Sequence, residues 1–132
     1  MYERPEEYAK YWVGKAVRFY KTVGRDVALA VFSNHNGMFV QDELYIYVLS
    51  TTGTMLAHGV NEKFVGLDFS GVKDYDGNLF IVEILKNANS VGSGWVTYKW
   101  YHPRRSKVLP KLAYYQKEGD MIFCSAVYEE EE

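Results

Sequence analysis

The sequence predicts an α+β domain: a five-stranded antiparallel sheet with a long N-terminal helix and further short helices. Three observations carry this. Apolar residues recur at three- and four-residue steps from Pro5 to Val23. Two short apolar runs flank a glycine turn near residue 53, and three more strand-like runs fill residues 94–128.

The first helix shows Tyr8, Trp12, Ala16, Phe19, Tyr20 and Val23 on one stripe, with Lys10, Lys15, Arg18 and Lys21 largely off it. Pro5 suits a first turn, Glu6 and Glu7 oppose the helix dipole favourably, and Gly24 is a stop. A shorter helix spans about Asp26 to Phe32, with Asp26 as its cap, and Ser33-Asn34-His35-Asn36-Gly37 breaks it. Leu44–Leu49 reads as a half-buried strand, Thr51–Thr54 as a hairpin connection and Met55–His58 as the return strand. Residues 59–78 are irregular and punctuated by glycines, the pattern of a functional cover over a site. Leu79–Ala88 is helical, and strands follow at Gly94–Tyr101, Leu109–Lys117 and Met121–Tyr128. The order α-α-β-β-α-β-β-β puts the helices on one side of the sheet. Residues 1–128 form one domain on this reading, and residues 129–132 an acidic, solvated tail.

The 132 residues suffice for one continuous core. A net charge of −2 with dispersed basic residues gives no electrostatic footprint for nucleic acid. Cys124 is the single cysteine, so no intrachain disulfide forms, and its strand setting suggests a small core residue. No run approaches the length of a membrane span, and the N-terminus lacks the basic start and apolar stretch of a signal peptide. An exported protein would therefore carry this chain in mature or trimmed form.

Alternation in Gly94–Tyr101 sets Val96, Tyr98 and Trp100 on the core face and Trp95, Thr97 and Lys99 on the wetter one. Tyrosines directed into one cavity, Tyr45, Tyr98 and Tyr114, would offer hydroxyl donors to a carboxylate. Lys111 sits in an otherwise uncharged strand. It either snorkels to the surface or points inward, where its burial demands an anionic partner. His58, at a strand end beside the irregular cover, is either a satisfied structural residue or a donor to an oxyanion. His35, His58 and His102 lack metal-ligand spacing with each other or with Cys124, so no metal or cofactor is called for. A calcium loop begun at Asp74 would place its required glycine on Leu79 and its closing glutamate on Leu85, so Asp74, Asp76 and Gly77 read as a turn and cap.

The ordered motifs Asp42-Glu-Leu-Tyr-Ile-Tyr-Val-Leu, Thr52-Gly-Thr-Met-Leu-Ala-His-Gly, Val65-Gly-Leu-Asp, Lys73-Asp-Tyr-Asp-Gly-Asn-Leu-Phe, Gly94-Trp-Val-Thr-Tyr-Lys-Trp and Pro110-Lys-Leu-Ala-Tyr resemble a single Cache domain with PAS-like topology. The resemblance covers nearly the whole chain. It implies a small-molecule pocket on the sheet face, closed by the long connection. Residue by residue, it implies that His58, Tyr98, Trp100, Lys111 and Tyr114 form the pocket, with Tyr45 and Phe39 as its walls. It implies further a short organic acid or related metabolite as ligand, an extracytoplasmic (periplasmic) setting and a role in chemoreceptor-type signal transduction, without catalysis. Such domains often carry glycines in the last strand where this chain has Cys124 and Ala126, which takes room from the pocket. Two alternatives remain open. One is a PAS-shaped enzyme using His58 or a tyrosine as acid–base group. The other is an interaction module forming a homodimer through the N-terminal helix.

Overall fold

The computed structural model describes residues 4–129. Glu130–Glu132 of the expected acidic tail lie outside them, and Glu129 is exposed.

Helix α1 (Pro5–Val23) begins on Pro5 and buries Ala9, Trp12, Val13, Ala16 and Val17. It ends at Gly24, whose φ of 89° turns the chain while its N–H donates to Tyr20 O at 2.8 Å. The same glycine opens α2 (Arg25–Phe32), so Asp26 occupies the first turn and does not cap the helix. The backbone, not a side chain, makes that junction.

Strands β1 (Tyr47–Ser50) and β2 (Met55–His58) pair antiparallel. The expected strand from Leu44 is shorter, because Asp42 adopts φ 56° and Gln41 and Leu44 close a tight turn through two 2.9 Å backbone bonds. Leu44, Tyr45 and Ile46 therefore stand outside the ladder. Residues 59–79 follow as the long connection, with a 3₁₀ turn at Glu62–Phe64. They tie back to the β1–β2 hairpin through Met55 N to Leu67 O (2.9 Å) and Phe69 N to Gly53 O (2.8 Å). Asp74 anchors the far end, accepting from the backbone N–H of Asp76, Asn78 and Lys99 at 2.8–3.0 Å. Burial works against its charge, but those N–H donors prevail and hold its carboxyl below the usual range.

Helix α3 (Phe80–Ser90) leads into β3 (Ser93–His102), β4 (Lys107–Glu118) and β5 (Met121–Tyr128). The sheet order is β2-β1-β5-β4-β3, antiparallel throughout. At Gly94 a Cβ would meet Asn87 Nδ2 at 2.5 Å and Tyr115 Oη at 2.7 Å, so the missing side chain leaves room for the hydrogen bond between those two groups.

Helices cover both faces of the sheet, not one as the element order suggested. Helices α1 and α2 pack with Ile46, Val48, Ala57, Tyr114 and Phe123 on one face. Helix α3, Phe64 and Phe69 pack with Tyr47, Val96, Tyr98, Tyr115 and Cys124 on the other. The cause lies in β5, where every residue from Met121 to Ala126 is buried, and a strand apolar on both sides needs two covers.

Candidate functional site

On the α3 side, register brings the polar residues together. Lys111 on β4 is paired with Tyr98 on β3 and Tyr128 on β5, so the three side chains share one face. His58 on β2 lies opposite Tyr47 on β1. Tyr45, outside the ladder, is fixed by Ser125 Oγ donating to its carbonyl at 2.7 Å. Gly59 permits its close approach to β2, since a Cβ there would stand 2.8 Å from Tyr45 Cβ.

Of the two orientations open to Lys111, the chain adopts the inward one: the residue is 1% exposed. Its Nζ donates to Tyr45 Oη at 3.2 Å and lies 4.8 Å from the ring centres of Tyr45 and Tyr128. Among the described residues no carboxylate forms an ion pair with it. Burial pushes the amine down to about 7, against which the field of Glu43 acts weakly.

His58 is 7% exposed and its Nδ1 accepts from the backbone N–H of Asn61 (2.9 Å) and Val60 (3.2 Å). The ring proton therefore sits on Nε2, which makes the imidazole a neutral donor. Burial, then the charge of Lys111, pushes it down to about 3. Tyr47 and Tyr98 share a hydroxyl hydrogen bond of 3.2 Å, and burial pushes both phenols well up.

Tyr45, Tyr47, His58 and Tyr98 border two adjoining spaces, with Lys111 behind them. The inner cavity, about 20 Å³, has Tyr45, Tyr47, His58 and Tyr98 as its polar lining and Met55, Phe69, Phe80 and Ile81 among its apolar lining. That volume holds about one water molecule. An outer cleft of about 300 Å³ adds Asp42, Glu43, Asn61, Arg104 and Tyr128. Tyr45, His58, Phe64 and Trp100 border both, so they are the partition between them. A larger groove of about 670 Å³ runs between α1 and the end of β5. Within its lining Glu43 approaches His102 Nε2 at 3.4 Å.

Of the residues expected to form one pocket, His58, Tyr45, Tyr98, Trp100 and Lys111 share the α3 face. Tyr114 and Phe39 are on the other. Tyr114 lies three positions from Lys111, an odd step that reverses the side of a strand, and it packs against Trp95 and Lys10. Phe39 is buried among Trp12, Phe19 and Phe32, with its carbonyl accepting from Trp12 Nε1 at 2.7 Å. Tyr47, Phe80 and Tyr128 were not anticipated. Tyr128 had a signal: the two-residue turn Gly119-Asp120 sets Glu118 opposite Met121, and counting back reaches Lys111 opposite Tyr128. No group of three potential metal ligands occurs among the described residues.

The sequence pattern of the family described as single Cache domain 2 matches residues 26–129. The chain belongs to that family. A chemotaxis protein from Vibrio parahaemolyticus has a solved structure similar to this Cache domain with a TM-score of 0.78 at 18% identity, over 93% of this chain and 87% of that one. A second solved structure, described as the basis for carboxylic acid recognition by a Cache chemosensory domain, is 27% identical with a TM-score of 0.78. It covers 94% of this Cache domain and 92% of that chain. The methyl-accepting chemotaxis protein McpP of Pseudomonas putida is 30% identical over 86 residues, 64% of this chain but 16% of the receptor's length. No helix among the described residues is long and apolar enough to cross a membrane.

Proposed function

We propose that this Cache domain is the extracytoplasmic sensing module of a chemotaxis-type receptor and that its ligand is a short organic acid of the acetate, propionate, lactate or pyruvate class. One observation carries the reading. A wholly buried lysine amine faces phenols and aromatic rings, with no carboxylate of the described residues paired to it, beside a small space walled by aromatics. Removing such a charge from water costs several kcal/mol unless an anion compensates it. The likeness to the carboxylic-acid-recognising Cache structure supports the same ligand class.

The ligand's carboxylate meets the polar end formed by Tyr45 and His58, with the Lys111 charge behind Tyr45. The inner space admits about one water-sized group, so a two- or three-carbon acid also takes up the outer cleft of about 300 Å³ or shifts the aromatic partition between the two. The site binds without turnover in this reading: His58 stays a neutral imidazole near neutral pH, with no imidazolium proton to transfer, and acts as a fixed hydrogen-bond donor through Nε2. Pairing of two copies through α1 belongs to the same proposal, and sedimentation at high concentration tests it.

Thermal melts with acetate, propionate, lactate, pyruvate and a panel of amino acids test the ligand class. An acid at a hundredfold excess over its dissociation constant adds about 2.7 kcal/mol to the fold. A melting temperature unmoved by every acid in the panel contradicts the reading.

A further inference from the structure

We propose that Tyr45, not Lys111, is the group that touches the ligand carboxylate, and that Lys111 acts through the Tyr45 phenol as a positioning residue. The inference rests on the short-acid reading and assigns the chemistry of that site.

Lys111 is buried behind the wall and borders neither the inner cavity nor the outer cleft, whereas Tyr45 borders both. The rings of Tyr45 and Tyr128 stand over its Nζ. An ammonium only donates, so in the 3.2 Å contact the phenol oxygen of Tyr45 is the acceptor. The phenol's own proton then points elsewhere, and the spaces that Tyr45 borders are the two cavities. A carboxylate there receives a hydrogen bond from a hydroxyl that a cation polarises from behind, which makes it a stronger donor. Ser125 Oγ on the carbonyl and the close contact with Gly59 hold the Tyr45 backbone for that task.

The arrangement depends on the lysine's proton. A neutral amine carries a lone pair and accepts the phenol proton, which turns the hydrogen bond around and withdraws the donor from the ligand. Tyr45, Glu43, His58, Tyr98 and Tyr128 are the titratable or charged side chains around Lys111 from the neighbouring elements. Burial raises the three phenols and lowers His58 to about 3, while Lys111 is lowered to about 7. The lysine's titration thus falls in the neutral window, and ligand affinity weakens as pH rises through it.

Isothermal titration of the protein with acetate and with propionate across roughly pH 6 to 9 decides the matter, using wild type, Tyr45→Phe and Lys111→Met. Tyr45→Phe, which keeps the ring and removes one oxygen, is expected to weaken binding about tenfold or more. Lys111→Met is expected to retain weaker binding that no longer varies with pH. Unchanged affinity in Tyr45→Phe together with lost binding in Lys111→Met overturns the proposal, because the lysine then contacts the ligand itself. A wild-type affinity flat across the range also overturns it and needs no variant. If wild type binds neither acid, the short-acid reading fails and takes this inference with it, an outcome distinct from the other two.

Discussion

Lys111 is a buried cation with no ion pair among the described residues, and its burial works against its charge. With a folded value of about 7 against an ordinary 10.5, its amine binds fewer protons in the folded chain than in the unfolded chain between those values. Stability from this group therefore rises with pH from about 7 toward 10.5, and the full penalty applies below about 7. Lys111→Met keeps the stem and removes the charge. It is expected to stabilise the ligand-free fold near neutral pH by about 1–4 kcal/mol, measured by urea unfolding. A destabilised variant means that the cation–ring contacts outweigh desolvation. Whether the lysine pointed inward could not be read from the sequence, because the alternating pattern places it on a face without saying what covers that face. The sequence did carry the evidence against Tyr114 as its companion, since three positions apart on one strand means opposite sides. Phe39 gave no such warning, because it lies in an irregular segment whose docking depends on α1 and α2.

At the scale of elements, the three C-terminal strands were legible because the turn Glu118-Gly119-Asp120 and the alternating aromatics fix their register. The start of β1 was not. Leu44, Tyr45 and Ile46 have strand composition, yet the turn through Asp42 lifts them out of the ladder. That departure frees Tyr45 to reach Lys111 two strands away, a contact that depends on the sheet order β1-β5-β4. The junction relies on Gly59, where an added Cβ would also press on Val40 at 3.2 Å and Phe32 O at 3.3 Å. Gly59→Ala is expected to cost about 1–3 kcal/mol and to weaken ligand binding by displacing Tyr45. Denaturant unfolding and calorimetry read the two effects separately. Full stability with unchanged binding contradicts the role given to that contact.

For the whole molecule, the sheet is a partition between two cores. Helices α1 and α2 seal one side, while α3 and the long connection close the side that carries the candidate site. The unbroken burial of β5 signalled this two-sided cover, and the order of elements concealed it. His58 links the site to global stability. Its folded value of about 3 lies below the ordinary 6.5, so the unfolded chain binds the extra proton between them. Its contribution is complete above about 6.5 and is lost as pH falls toward 3, with a slope of at most about 1.4 kcal/mol per pH unit. His58→Asn, which retains an acceptor for the Val60 and Asn61 N–H groups, is expected to flatten that part of the stability curve. An equally steep curve assigns the acid sensitivity to other groups. The central claim is a buried amine completed by an incoming acid, and its most direct measurement is the titration of the Lys111 amine by NMR with and without acetate or propionate. A value near 7 in the free protein that rises when either acid binds is the predicted result. An ordinary value near 10.5, or one that neither acid moves, contradicts the account.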